Sequence, residues 1–265
     1  FCTLQGEESF LDELPEPHRS KAWEILGELA RRASGLLSVS QWYAEQMRKR
    51  LELPVGAISV VYNGMDLADF PINEPPERPT IGFLSQLIAK KGLETLIDAF
   101  ITLKEKGSIG NLQLKLAGAL VPGHETFVEK MKERLIESGY ADDVAWSFNI
   151  SRKEKMEFLS SLSLLCVPAT YGEAFGLYVI EALAASVPVV LPRSAVFPEL
   201  LEMTGGGVLY EDDGLVTSLE QMLNSGAELK KMGQKGRENV LEQFSQDRMS
   251  RDFLEFLNES LARKR

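Results

Sequence analysis

The stretch Pro168-Ala169-Thr170-Tyr171-Gly172-Glu173-Ala174-Phe175-Gly176-Leu177-Tyr178-Val179-Ile180-Glu181-Ala182-Leu183 decides the fold. It follows an apolar run, 162–167, that reads as a buried parallel strand. A helix-forming stretch starts near Phe175 and continues to Ala185. Glu173 stands just outside that helix and Glu181 further in. A strand, a glycine-containing turn and a helix N-terminus offer free backbone N–H groups and the positive end of a helix dipole. A carboxylate beside them repels a bare phosphate. It suits a neutral, hydroxyl-rich ligand carried on a phosphate, which is the description of a nucleotide sugar.

Working outward, short apolar runs alternate with amphipathic ones from about Thr80 to Gly233. The expected strands are 80–84, 112–117, 144–148, 162–167, 187–191 and 207–210. The expected helices are 93–106, 125–139, 152–160, 177–185, 196–203 and 214–225. This alternation predicts right-handed crossovers and a parallel sheet with flanking helices, a complete α/β Rossmann-like domain. The proline-rich run 72–79 reads as a linker. Before it lie helical runs at 18–34 and 41–51 and short strands at 36–39 and 58–61. Ser40 is placed to cap the second of these helices. This is too little sheet for a domain and reads as part of a second Rossmann-like one. A long helix is expected over 239–261.

The 265 residues, 44% apolar and 26% charged, suffice for one large or two small domains with a sizeable core. A formal net charge of −10 argues against nonspecific nucleic-acid binding. No apolar run reaches the ~18–20 residues of a membrane span. Two cysteines, Cys2 and Cys166, are too few for a disulfide framework, and Cys166 reads as a small core residue. With His18 and His124 the only histidines, a structural metal is not expected. The Asp pairs at 142–143 and 212–213 read as turn residues. These features fit a reducing cytoplasm, with a peripheral position at the inner membrane left open.

The central stretch, with a second Glu eight residues after Glu173 and Phe-Gly between them, resembles the signature of the group 1 glycosyltransferases (family 4, GT-B fold). Val60-Val61-Tyr62-Asn63-Gly64-Met65-Asp66 resembles that family's interdomain segment. Lys91-Gly92 resembles its phosphate loop, and Ser186-Val187-Pro188-Val189-Val190 with Pro198-Glu199 its "GxPVV…PE" stretch. The four matches stand in the family's order. The resemblance implies 1–63 as a remnant of the N-terminal domain, 64–238 as the nucleotide-sugar-binding domain and 239–265 as a helix crossing back. Most of the N-terminal domain, with the acceptor wall, is expected to be missing.

Lys91 is the candidate for the diphosphate. A departing nucleoside diphosphate gains negative charge, and a fixed cation favours the transition state over the ground state. A lysine at a helix N-terminus is otherwise electrostatically poor. The resemblance places an arginine five residues earlier, where this chain has Gln86, which lacks the charge and the bidentate fork. Arg193, Lys90 and Arg152 are candidate compensating cations. Glu173 is implied near the sugar hydroxyls, with helix capping as the alternative. Ala174, Phe175, Gly176 and Leu177 would supply backbone N–H groups. Glu181 would bridge the ribose hydroxyls, with a solvated helix face as the alternative. Ile150, in Asn149-Ile150-Ser151, would contact the base through its backbone. Gln5 stands where the family often has histidine.

The resemblance thus implies hexosyl transfer from a nucleotide-diphosphate donor to an acceptor hydroxyl (glycan, lipid or small molecule), with retention. No cofactor or metal is required, and the fragment is expected to be inactive alone. A non-catalytic nucleotide-sugar-binding or scaffold protein and a GT-B nucleotide-sugar epimerase are the alternatives.

Overall fold

The structure, a computed structural model, describes residues 1–262. It divides into two compact units. One comprises Phe1–Asp66, Glu173–Gly176 and the segment from Gln243 onward; the other comprises Leu67–Gly172 and Leu177–Glu242.

The first unit opens with β1 (Cys2–Leu4), α1 (Glu8–Leu11), α2 (His18–Arg32), β2 (Leu36–Ser38), α3 (Gln41–Arg50) and β3 (Ile58–Val60). The strands form a parallel sheet in the order β1-β2-β3, one strand more than the two expected. β2 is wholly buried, and pairing with it makes Cys2–Leu4 a strand. Ser40 caps α3, its Oγ accepting from the Tyr43 N–H at 3.1 Å.

The second unit contains β4 (Thr80–Leu84), α4 (Leu93–Lys106), β5 (Gln113–Gly118), α5 (Glu125–Glu137), β6 (Val144–Phe148), α6 (Arg152–Leu159) and β7 (Leu164–Cys166). It continues through α7 (Leu177–Ala184), β8 (Val189–Pro192), α8 (Phe197–Thr204), β9 (Gly207–Tyr210), α9 (Leu215–Asn224) and α10 (Gly226–Gln243). Its six strands are all parallel, in the order β6-β5-β4-β7-β8-β9. β4 and β7 are buried at every residue, which is why they read as continuous apolar runs rather than alternating ones. Between them the strand order reverses direction. That reversal opens a crevice at the carboxyl ends of β4 and β7, where ligands bind in open α/β sheets. Cys166 is fully buried, and desolvation pushes its thiol up, so it is an inert core residue.

The helix after β7 starts at Leu177, as the helical run 177–185 predicts and two residues beyond a start near Phe175, because Gly176 adopts φ +79° and breaks the entry. Two expectations are corrected. The run 72–79 is not a free linker. The Asn73 N–H donates to Ala185 O at 3.1 Å, and its side-chain amide donates to Leu162 O at 2.8 Å. Arg237 on α10 donates to Phe70 O at 3.0 Å and also to Ala184 O. Finally, 239–261 is two helices. α10 ends at Gln243 and α11 (Gln246–Ala262) follows. The break is fixed in the first unit: Met65 N–H donates to Phe244 O (2.9 Å) and Gln246 N–H to Met65 O (3.2 Å). Phe256 of α11 then packs with Leu37 and Val61 in that unit's core. No helix among the described residues is long and apolar enough to cross a membrane.

Candidate functional site

At the switch point the chain leaves β4 and turns back toward α4. Ser85 N–H and Leu87 N–H donate to Ala117 O (3.2 Å) and Ala119 O (3.0 Å), prolonging the pairing with β5. A 3₁₀ turn over Ala89–Lys91 follows, closed by Gly92 at φ +77°. A Cβ on Gly92 would lie 1.9 Å from Pro168 O, so only glycine lets this turn press against the segment after β7. Thr170 N–H then donates to Lys90 O at 3.0 Å and stitches the two loops together.

This packing buries Lys91, which is 8% exposed. Its Nζ donates to the Tyr171 hydroxyl at 2.5 Å. The same ammonium lies 4.7 Å from the Tyr171 ring centroid and 5.8 Å from that of Tyr178. Two aromatic π-faces and a phenol oxygen therefore partly replace its lost water. Sequence reasoning found Lys91 but gave neither tyrosine a role. Their signal was present in the same central stretch, one on each side of the glutamate turn.

Glu181 is also buried, 8% exposed, which overturns the solvated-face alternative. It pairs with Lys155 of α6, a residue that sequence reasoning left aside. Gln86 is exposed in the turn after β4. Ile150 is partly buried beyond β6, where Asn149 N–H donates to Gly118 O at 2.9 Å. Ser151 then caps α6 in a reciprocal box with Glu154. Leu177 is exposed at the first position of α7, whose opening N–H groups have no partner within the helix.

The candidate compensating cations have their own positions. Arg193 pairs with Glu211 at 2.6 Å and lines a cleft of about 710 Å³ with Asp98, Tyr210 and Asp213 at the β8–β9 side. Arg152 lies 3.9 Å from Asp69. Lys90 is exposed.

Glu173, Ala174, Phe175 and Gly176 belong to the first unit. Ala174 O accepts from the Ser40 hydroxyl at 2.7 Å, so the residue that caps α3 also anchors this segment. The Phe175 ring packs edge-on to Phe244 at 5.8 Å, and Tyr62 meets Phe244 at 5.7 Å. Glu173 itself is half-buried. In the same unit Glu7 folds back to accept from the backbone N–H groups of Gln5 (2.9 Å) and Gly6 (3.2 Å). Among the described residues no group of three or more His, Cys, Asp or Glu is placed to hold a metal ion.

Comparison with known proteins fits this layout. Residues 65–239 match the family model described as glycosyl transferases group 1. The MMP alpha-(1->4)-mannosyltransferase of Mycolicibacterium hassiacum is 28% identical over 246 residues, 91% of this chain and 57% of that protein. The GDP-mannose-dependent alpha-(1-6)-phosphatidylinositol monomannoside mannosyltransferase of Mycobacterium tuberculosis is 25% identical, over 68% of this chain and 48% of its own length. The chain thus spans about half the length of these curated relatives. Among solved structures, sucrose-phosphate synthase of Thermosynechococcus elongatus superposes with a TM-score of 0.81 at 20% identity, covering 98% of this chain and 67% of that one. Anabaena Alr3699/HepE, solved with UDP and glucose, gives 0.76 at 20% identity over 90% of this chain and 67% of its own. At such identities the two structures establish the α/β GT-B fold alone.

Proposed function

The chain belongs to the group 1 glycosyl transferases, and from that premise we propose that it carries the donor-binding part of a sugar-nucleotide-dependent glycosyltransferase. The observation that supports this most is Lys91, a buried cation held at the switch point of a parallel sheet. Burying an ammonium is unfavourable unless it is compensated. A diphosphate is the ligand that would use it.

On this reading the bond between the anomeric carbon and the diphosphate oxygen breaks with both electrons on oxygen. Lys91 stabilises the charge that develops there, so the step needs no divalent ion. The backbone N–H groups of Phe175, Gly176 and Leu177 bind phosphate oxygens. Glu181 accepts from the ribose hydroxyls, and the Ile150 backbone contacts the base. Glu173 accepts from the donor-sugar hydroxyls close to the developing oxocarbenium charge. The acceptor oxygen bonds the anomeric carbon with retention, and its proton passes to the departing diphosphate oxygen. Both curated relatives are named mannosyltransferases, so mannose is the first sugar to test.

Binding is the property to measure first on these 265 residues. Calorimetry with UDP, GDP and ADP should show heat with at least one of them. Its absence at millimolar concentration with all three rejects the donor-site reading.

A further inference from the structure

We propose that Lys155 is a positioning residue for the donor ribose: it orients the Glu181 carboxylate so that the site discriminates a ribose from a deoxyribose. The proposal rests on the donor-site reading above.

α7 is apolar around its whole circumference, with every residue from Tyr178 to Ala184 buried and Glu181 its single charged side chain. An isolated carboxylate there would carry its desolvation penalty without a partner. Lys155, on the helix after β6, reaches across and bonds Oε1. Such a partly buried pair is weak evidence for a stabilising role, because apolar replacements are often neutral or stabilising. On the donor-site reading, which assigns Glu181 to the ribose, it points instead to a role in recognition.

The pairing also leaves the two ends of the ion pair unequal. The Lys155 side chain is 28% exposed, against 11% for Glu181. The lysine is thus the more exposed end of the pair and the carboxylate the more buried one. With Oε1 taken by the ammonium, Oε2 is the oxygen presented to the 2′- and 3′-hydroxyls. Lys155 acts through Glu181 and touches no reacting atom.

The test compares wild type, Lys155→Met and Lys155→Arg by calorimetry, using whichever of UDP, GDP or ADP binds best, its 2′-deoxy counterpart, and inorganic pyrophosphate. Wild type should prefer the ribonucleotide by about tenfold or more, the scale of a hydrogen bond to a charged group. Lys155→Met should bring that ratio close to one and leave pyrophosphate affinity unchanged, because pyrophosphate uses Lys91. Lys155→Arg should restore the preference. If Lys155→Met does not fold, Lys155→Gln serves in its place. A wild type that prefers the ribonucleotide while the Met or Gln variant does so equally overturns the proposal. So does a wild type that binds the diphosphate without preferring ribose, or a variant that loses pyrophosphate and nucleotide in parallel. A wild type that binds no nucleoside diphosphate overturns the donor-site reading together with this one.

Discussion

The Lys91 ammonium lies 2.5 Å from the Tyr171 hydroxyl, a hydrogen bond that spans 80 residues of sequence and joins the loop after β4 to the loop after β7. The bond fixes a cation that sits 8% exposed at the sheet's switch point. A cation held this way is available to a diphosphate without further ordering of its side chain. Lys91→Met keeps the aliphatic stem and removes the charge. It should weaken nucleoside diphosphate binding by tenfold or more, about 1.4 kcal/mol. The unliganded melting temperature should hold or rise, since a desolvated ammonium has been removed. Tyr171→Phe should give a smaller loss in the same assay. Equal affinities for Lys91→Met and wild type would place the phosphate elsewhere.

The contact between Gly92 and Pro168 makes a second prediction, with an internal control. Gly92 and Gly107 both have left-handed backbones, at φ +77° and +63°. An added Cβ would lie 1.9 Å from Pro168 O at Gly92 and meets nothing within 4 Å at Gly107. Gly107→Ala should cost about 1–2 kcal/mol, the left-handed penalty alone. Gly92→Ala adds a backbone collision, so it should cost at least ~2 kcal/mol more and weaken nucleotide binding by displacing Lys91. Denaturant unfolding of the two variants side by side checks this. Equal losses would show that the loop yields and that the close approach is dispensable.

The parts of the fold that were legible in sequence are those with local causes. Thr80–Leu84 and Leu93–Lys106 came out at their observed limits because an apolar run and an amphipathic helix are each bounded by glycine or polar residues. The start of α7 was read both near Phe175 and at Leu177, and the left-handed Gly176 that settles it looks like any other glycine in sequence. The division of 239–261 into two helices rests on Met65 bridging Ser245, a pairing of distant segments that no helical periodicity can reveal. The site followed the same rule. Lys91 and Glu181 were picked out by the family resemblance, through Lys91-Gly92 and the paired glutamates of the central stretch. Their partners were not: Tyr171 meets Lys91 only because β4 and β7 are neighbours, and Lys155 meets Glu181 only through the packing of α6 against α7.

Glu8 gives the first unit a distinct pH response. Its carboxyl oxygen lies in hydrogen-bond contact with the Tyr43 hydroxyl, whose single proton is shared with a Glu7 carboxylate oxygen at 2.7 Å. Burial raises the Glu8 carboxyl above the ordinary value, the Tyr43 bond and the Arg50 charge oppose this, and the Glu7 charge adds to it. A raised folded-state pKa means that the native state favours the proton. The penalty on folding is full above the folded pKa and fades as pH falls toward the unfolded value of 4.5. Glu8→Gln keeps an acceptor for Tyr43 and removes the titration. It should be more stable than wild type at pH 7, with the gap closing as pH approaches that unfolded value. Other carboxylates act in the opposite sense. Glu45, held by Arg48, sits down at about 2. The quantity to follow is therefore the difference between variant and wild type in denaturant unfolding. A gap that stays constant or widens on acidification would show that Glu8 is not the group responsible.

Glu173→Ala separates chemistry from folding. Glu173 is half-buried in a segment held by the Ser40–Ala174 hydrogen bond and the Phe175–Phe244 ring contact. Neither of these two contacts uses the Glu173 side chain, so the anchors of the segment survive its removal. Substitutions away from packed cores usually stay within about 0.5 kcal/mol. A group acting beside the anomeric carbon is worth much more in the rate, about 2.7–4 kcal/mol or a factor of about 10²–10³ by analogy with a lost oxyanion donor. Where the proposed sugar transfer is measured, Glu173→Ala should therefore lower kcat by that factor, with the melting temperature nearly unchanged and nucleoside diphosphate affinity intact. Lys91→Met should lower kcat too, but with weaker diphosphate binding, because the phosphate is charged before and after transfer. The two variants thus differ in one measurement, the nucleoside diphosphate dissociation constant. A Glu173→Ala enzyme with normal kcat, or one that melts many degrees lower, would make Glu173 a structural residue of its turn and leave the sugar to be bound by other groups.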